Sequence, residues 1–323
     1  MNHNYNNPLV FQRADPFIYK HSDGYYYFTA SVPEYDRIEI RRAKTLNELD
    51  SAKPFIAWTH HAEGEMSHLV WAPEIHYLRG KWYIYFASAP NSEVTGITFN
   101  HRMYVLENAN ANPLTDEWVE KGQLKTSWES FALDATAFEH NGKLYYVWGQ
   151  EDLNVSAESH SNLYISEMEN PWTLKGPEVM LSKPELEWET KIFYVNEGPG
   201  ILIRNGKIFL TYSASATNEY YCVGMLWADE SADLLDKNSW HKLQEPVFTT
   251  NYEEQIYGPG HNSFTVSEDG KTDLIVYHAR NYTEIEGDPL WDPNRHTRVQ
   301  AISYDENGMP VFGRPVAETR TMN

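Results

Sequence analysis

An all-β fold, a five-bladed β-propeller forming one domain over residues 1–323, is what this sequence predicts. Three observations carry it. A glycine turn followed by an alternating aromatic or β-branched run occurs five times, the copies are evenly spaced, and apolar residues almost nowhere fall at helical intervals. The copies are HSDGYYYFTAS (21–31), YLRGKWYIYFAS (77–88), EHNGKLYYVWGQ (139–150), IRNGKIFLTYSAS (203–215) and SEDGKTDLIVYHAR (267–280). Their glycines, Gly24, Gly80, Gly142, Gly206 and Gly270, stand 56, 62, 64 and 64 residues apart.

Asp-Gly and Asn-Gly before a period-two run read as tight hairpins, because these turns demand positive φ. Each unit is therefore strand, turn, strand. About 60 residues per unit leave room for a four-stranded antiparallel sheet and a loop, slightly more than common propeller repeats of roughly 40–50. A β-sandwich of hairpins does not predict so even a register. Helical periodicity is confined to Lys44–Leu49 and Ser231–Leu235, both short. The C-terminal RVQAISYDENGMPVF adds a sixth hairpin around Asn307-Gly308, which is expected to complete the last blade or close the ring.

Composition narrows the function. With 26 basic against 46 acidic residues the net charge is −20, which disfavours nucleic acid, other polyphosphates and anionic membrane surfaces as partners. The single cysteine, Cys222, rules out an intramolecular disulfide or a multi-cysteine zinc site, and reads as a small apolar residue. The start, MNHNYNNPLVFQRADPF, has no basic and apolar leader, and no run approaches ~20 apolar residues, so a cytoplasmic location is expected. Aromatic residues make up 14% of the chain, which suits either propeller packing or contact with the flat apolar faces of sugars.

If the strand before each turn is the innermost of its blade, the residue eight or nine positions before the glycine lies at one mouth of the central channel. Those residues are Asp15, Trp71, Asp134, Glu197 and His261. One carboxylate at such a point is ordinarily a strand or turn cap. Three converging there are costly to desolvate and point to chemistry. Two carboxyl groups suffice for glycosidic hydrolysis, one protonated for the leaving oxygen and one ionised to activate water, and a third holds their pKa values apart. His261 reads as a core histidine or, from its place in the ring, as a residue turned towards an axial ion or water, although one imidazole defines no transition-metal site. Trp71 reads as core or as a sugar platform. Arg298, with Arg295 as its rival, is the candidate guanidinium for a substrate hydroxyl and for depressing a carboxylate pKa. Gly270-Lys271-Thr272 only imitates the end of a phosphate loop, since Thr265 stands where the first glycine belongs.

The pieces RADPFIYKHSDGYYYF, VWAPEIHYLRGKWYIYFA, LDATAFEHNGKLYYVW, VNEGPGILIRNGKIFLTYS and YGPGHNSFTV, in this order over roughly residues 13–280, resemble glycoside hydrolase family 43, the arabinofuranosidase, xylosidase and arabinanase family. The resemblance implies a five-bladed propeller and hydrolysis with inversion. It makes Asp15 the general base, Asp134 the residue that tunes pKa and orients the acid, and Glu197 the general acid. His261 matches a histidine facing calcium or water, and Arg298 matches a substrate-binding arginine. Calcium would be structural or electrostatic, and no organic cofactor is implied. Xylosidases of the family commonly carry an added C-terminal β-sandwich, and this sequence stops soon after its fifth repeat. The expectation is therefore an exo-acting α-L-arabinofuranosidase taking terminal or side-chain units from arabinan or arabinoxylan oligosaccharides of the plant cell wall. A β-xylosidase, an endo-arabinanase and a non-catalytic carbohydrate-binding propeller are the alternatives.

Overall fold

Alternating runs bounded by glycine turns become antiparallel blades. The computed structural model describes residues 5–156 and 158–322; residues 1–4, 157 and 323 of the expected single domain lie outside the described residues. Blade I runs outward through Ala14–Lys20, Tyr26–Ser31, Arg37–Ala43 and Phe55–Thr59, and blade II through His68–Leu78, Lys81–Ala89, Arg102–Asn108 and Val119–Gln123. Blade III has Ala132–His140, Lys143–Gln150 and Asn162–Asn170, its outer position shared by Thr173–Leu174 and Val179–Ser182. Blade IV has Asn196–Arg204, Lys207–Ala214, Cys222–Asp229 and His241–Lys242, and blade V has Tyr257–Val266, Asp273–Arg280 and His296–Ala301. The fold is a five-bladed β-propeller.

All five repeat glycines have positive φ. Only the second, third and fourth turns are two-residue hairpins, closed by Leu78↔Lys81, His140↔Lys143 and Arg204↔Lys207, while the first and last are wider. Of the two expected helical stretches, the first holds a single 3₁₀ turn at Leu46–Glu48 and the second no helix. Stretches of five or six residues suit a turn better than a helix whose first hydrogen bonds cost more order than they return.

A sheet buried on both faces must pack against a neighbour on each side, and the apolar residues divide accordingly. One buried cluster lies at each junction: Tyr27, Trp82 and Phe86 between blades I and II, Tyr85, Tyr146 and Trp148 between II and III, and Val147, Leu210 and Tyr212 between III and IV. Phe209, Tyr277 and Phe312 lie between IV and V, and Leu9, Phe28 and Val276 between V and I.

The N-terminal segment, not the C-terminal hairpin, closes the ring. Leu9 N–H donates to Thr297 C=O at 2.7 Å and Thr297 N–H to Val10 C=O at 3.0 Å. The Asn7 side chain pairs with both backbone groups of Val299, each at 2.9 Å. The sixth hairpin, Ser303–Tyr304 with Pro310–Val311, forms its own two-stranded sheet and delivers Phe312 to the junction of blades IV and V.

Candidate active site

Every inner strand is irregular where it enters the channel. Its register slips there, and each strand has a residue in the left-handed conformation at an equivalent position: Asp15 (φ 53°), Ala72 (45°), Asp134 (47°), Gly198 (56°) and His261 (44°), with Leu69 and Gly258 adding a second in blades II and V. Bulges of this kind bend a strand and re-aim its side chains. Such φ values cost a non-glycine residue roughly 1–2 kcal/mol, a strain typical of functional sites. The counterparts in blades II and IV are thus Ala72 and Gly198, one residue after the Trp71 and Glu197 counted from the turn glycines. Glycine suits the fourth position for a second reason, since a Cβ on Gly198 would come within 3.1 Å of the His261 ring.

The bulges bring Asp15, Asp134, Glu197, His261 and Trp71 to one open pocket of about 820 Å³, mouth included. Its floor is polar. Its walls are apolar, with Phe99 and Phe131 on one side and Val195 and Leu290 among the others.

Asp15 is buried at the floor. Its Oδ2 accepts from Ser31 Oγ at 2.5 Å, and that same Oγ accepts the Ala72 N–H. The Asp15 N–H donates to His278 Nδ1 at 3.0 Å. His278 Nδ1 is therefore an acceptor and its proton sits on Nε2, which is buried without a partner. Burial pushes the His278 pKa down to about 3, so the ring is neutral. Burial works to raise the Asp15 pKa, but the Arg295 guanidinium, at 3.4 Å, and His261 Nδ1, at 3.3 Å, outweigh it and hold the carboxyl well below its ordinary range. Asp15 is ionised.

The other two carboxyl groups behave in the opposite way. Burial first, and then the charges of Glu197 and Asp15, push Asp134 well above the usual carboxylate range against the opposing hydrogen bond from Gly198 N–H at 3.1 Å. Burial raises Glu197 to about 7, with Asp15 adding to the rise while a hydrogen bond from Tyr221 O–H, at 2.7 Å, and Arg295 oppose it. Asp134 and Glu197 titrate as a pair and keep a proton into the neutral range. The pocket thus holds an ionised carboxylate facing a protonated carboxyl, which is the division that acid–base hydrolysis of a glycosidic bond needs.

Trp71 forms wall more than platform. One face of its ring stacks on His101, with centroids 3.8 Å apart, and its edges meet Phe99 and Tyr35. The expectation for Arg298 is corrected. It is fully buried outside the pocket, donating to Ala279 C=O and to Glu318 at 2.6 Å, whereas Arg295, on the loop just before the same strand, lines the pocket beside Asp15. Strand periodicity turns residue 298 into the blade, and the free loop lets residue 295 reach the axis. Sequence reasoning missed Ser31, His278 and Tyr221. Ser31 ends, and His278 lies near the end of, a strand next to an inner one, and both had a positional signal in the repeat, while Tyr221 had none.

Calcium takes six to eight oxygen ligands. Among the described residues no three His, Cys, Asp or Glu side chains are arranged to hold a metal, and His261 Nδ1 faces the carboxylates of Asp15 and, at 3.5 Å, Asp134. These residues do not fit a directly ligated ion, and no chemical step here depends on one.

A family model described as glycosyl hydrolases family 43 matches residues 5–310. The chain is 55% identical over 314 residues to an extracellular exo-α-(1→5)-L-arabinofuranosidase of Streptomyces avermitilis, covering 97% of this chain and 64% of that protein. A Streptomyces chartreusis protein of the same name is 54% identical, with 88% and 85% covered. The crystal structure of an α-L-arabinofuranosidase from Lactobacillus brevis superposes with a TM-score of 0.96 at 58% identity, covering 98% of both chains. The expected cytoplasmic location is overturned, because both Streptomyces relatives are named extracellular. Among the described residues no helix is long and apolar enough to cross a membrane. The first of these relatives is itself much longer than this chain, so where the sequence stops does not separate arabinofuranosidases from xylosidases. Its bulged carboxylate ring, its architecture and its sequence agree: the chain belongs to family 43 of the glycosyl hydrolases.

Proposed function

We propose that this chain hydrolyses α-L-arabinofuranosides with inversion, releasing terminal units from arabinan or arabinoxylan oligosaccharides. The observation that carries the reading is the convergence of Asp15, Asp134 and Glu197 on one pocket floor, with Arg295 beside Asp15 and the Tyr221 hydroxyl bonded to Glu197. Asp15, ionised beside Arg295, accepts a proton from water as that water attacks the anomeric carbon. Glu197 gives its proton to the departing glycosidic oxygen, and Tyr221 orients it. Asp134 shares the proton of the pair and keeps Glu197 charged with its proton near neutral pH. Arg295 binds substrate oxygen while stabilising Asp15. The apolar walls exclude water from the bond being broken. The names of the similar proteins favour an arabinofuranosyl substrate.

The test is release of arabinose from an aryl arabinofuranoside, run beside an aryl xyloside and linear arabinan. Higher kcat/KM on the arabinofuranoside, with arabinose appearing before viscosity falls, supports the proposal. Preference for the xyloside, early loss of viscosity, or binding without turnover refutes it.

A further inference from the structure

Tyr221 occupies a seat that the backbone has cleared for it. It is 1% exposed, and its ring lies over the His278 imidazole, with centroids 5.5 Å apart and planes 4° from parallel. A Cβ on Gly260 would stand 2.3 Å from Tyr221 Cε1, so only glycine at 260 leaves room for the ring. At its other end the Tyr221 N–H donates to Asn218 C=O at 3.1 Å. The phenol is thus fixed before substrate arrives. Its hydroxyl donates to Glu197 Oε1, and its face covers the imidazole that accepts the Asp15 N–H. One rigid ring therefore touches the side chain of the acid and the group that fixes the backbone of the base.

We propose that Tyr221 is a positioning residue that aligns the Glu197 carboxyl with Asp15 and governs the pH at which Glu197 gives up its proton. This rests on the assignment of Glu197 as general acid. The titratable and charged groups around Glu197 are Asp15, Asp134, Arg295 and Tyr221, with His261 and His278 below and His160 in the pocket wall. Tyr221 is the one that donates a hydrogen bond to the Glu197 carboxylate. A hydrogen bond to the ionised form favours that form, so removing it makes the carboxyl hold its proton to higher pH. Burial also keeps the Tyr221 phenol protonated far above neutrality, so it acts as a donor throughout the working range.

The experiment is the pH profile of kcat/KM on an arabinose oligosaccharide, where the acid is needed, for the wild type, Tyr221→Phe and Gly260→Ala. Tyr221→Phe keeps the ring on His278 and removes only the hydroxyl. Its basic limb should move up by about one pH unit, with a lower plateau because the carboxyl is less well aimed. Gly260→Ala displaces the ring and should move the limb the same way. A basic limb that stays at the wild-type position in Tyr221→Phe overturns the proposal, whatever happens to the rate, since a merely structural role lowers activity without moving a limb. Glu197→Gln, assayed in parallel on substrates with good and poor leaving groups, separates the two failures. If it shows no leaving-group dependence the acid assignment itself fails, and if it does while the Tyr221→Phe limb is fixed, only the positioning role fails.

Discussion

Replacing Glu197 with Gln removes one proton and leaves the pocket otherwise intact. The amide Oε1 still accepts the Tyr221 hydroxyl, which now stands at 2.7 Å from the carboxylate, and the burial that holds Glu197 near 7 has no further consequence for a neutral amide. A positioned general acid is worth about 10²–10⁴-fold, or roughly 3–5 kcal/mol of barrier. A sugar alkoxide is a poor leaving group and needs the whole of that help. A nitrophenolate departs unaided, so its loss should be about tenfold or less. The assay is kcat/KM at pH 6 on arabinobiose and on nitrophenyl arabinofuranoside. The wild type supplies an internal control: as pH rises above about 7 the pair loses its proton, and the ratio of the two rates should fall by about tenfold per pH unit while staying flat in the variant. Equal losses on both substrates, or a wild-type ratio independent of pH, would refute the assignment of Glu197.

Asp15→Asn should lose at least ~10³-fold on both substrates, since water must be activated whatever leaves, and a loss confined to the poor leaving group would reverse the two roles. Asp134→Asn removes a charge that couples to Glu197, so the basic limb of kcat/KM should shift to lower pH, and an unmoved limb would show that the two carboxyl groups titrate independently. Asn7→Ala breaks two buried hydrogen bonds at the ring closure and should destabilise the fold by about 2–3 kcal/mol in urea or thermal unfolding while leaving KM unchanged; no change in unfolding would mean that the ring is held closed elsewhere.

The blades were legible because a hairpin signal is local. A glycine turn and five or six alternating residues suffice, and the repetition supplied the long-range order that a single hairpin lacks. The same counting brought Asp15, Asp134 and His261 to their places. It slipped by one residue in blades II and IV, because a bulge adds a residue that turn chemistry does not announce, and Glu197 therefore reaches the pocket from beside its bulge. Arg298 was misread for a similar reason: it lies three residues beyond Arg295, on a strand whose alternation turns it inward, and nothing in NRHTRVQ marks where the loop ends. Ring closure by Asn7, Leu9 and Val10 joins residues nearly three hundred positions apart. Tyr221 depends on space left by Gly260, a complementarity of two side-chain volumes that has no period to detect.

The central claim is that Asp15 drives water onto the anomeric carbon from the face opposite Glu197, without a covalent intermediate. Proton NMR of the sugar released in the first minutes from an α-L-arabinofuranoside tests it directly. Inversion predicts that β-L-arabinofuranose appears first and mutarotates later. Initial accumulation of the α-anomer would mean retention, with one of these carboxylates acting as a nucleophile, and would contradict the account.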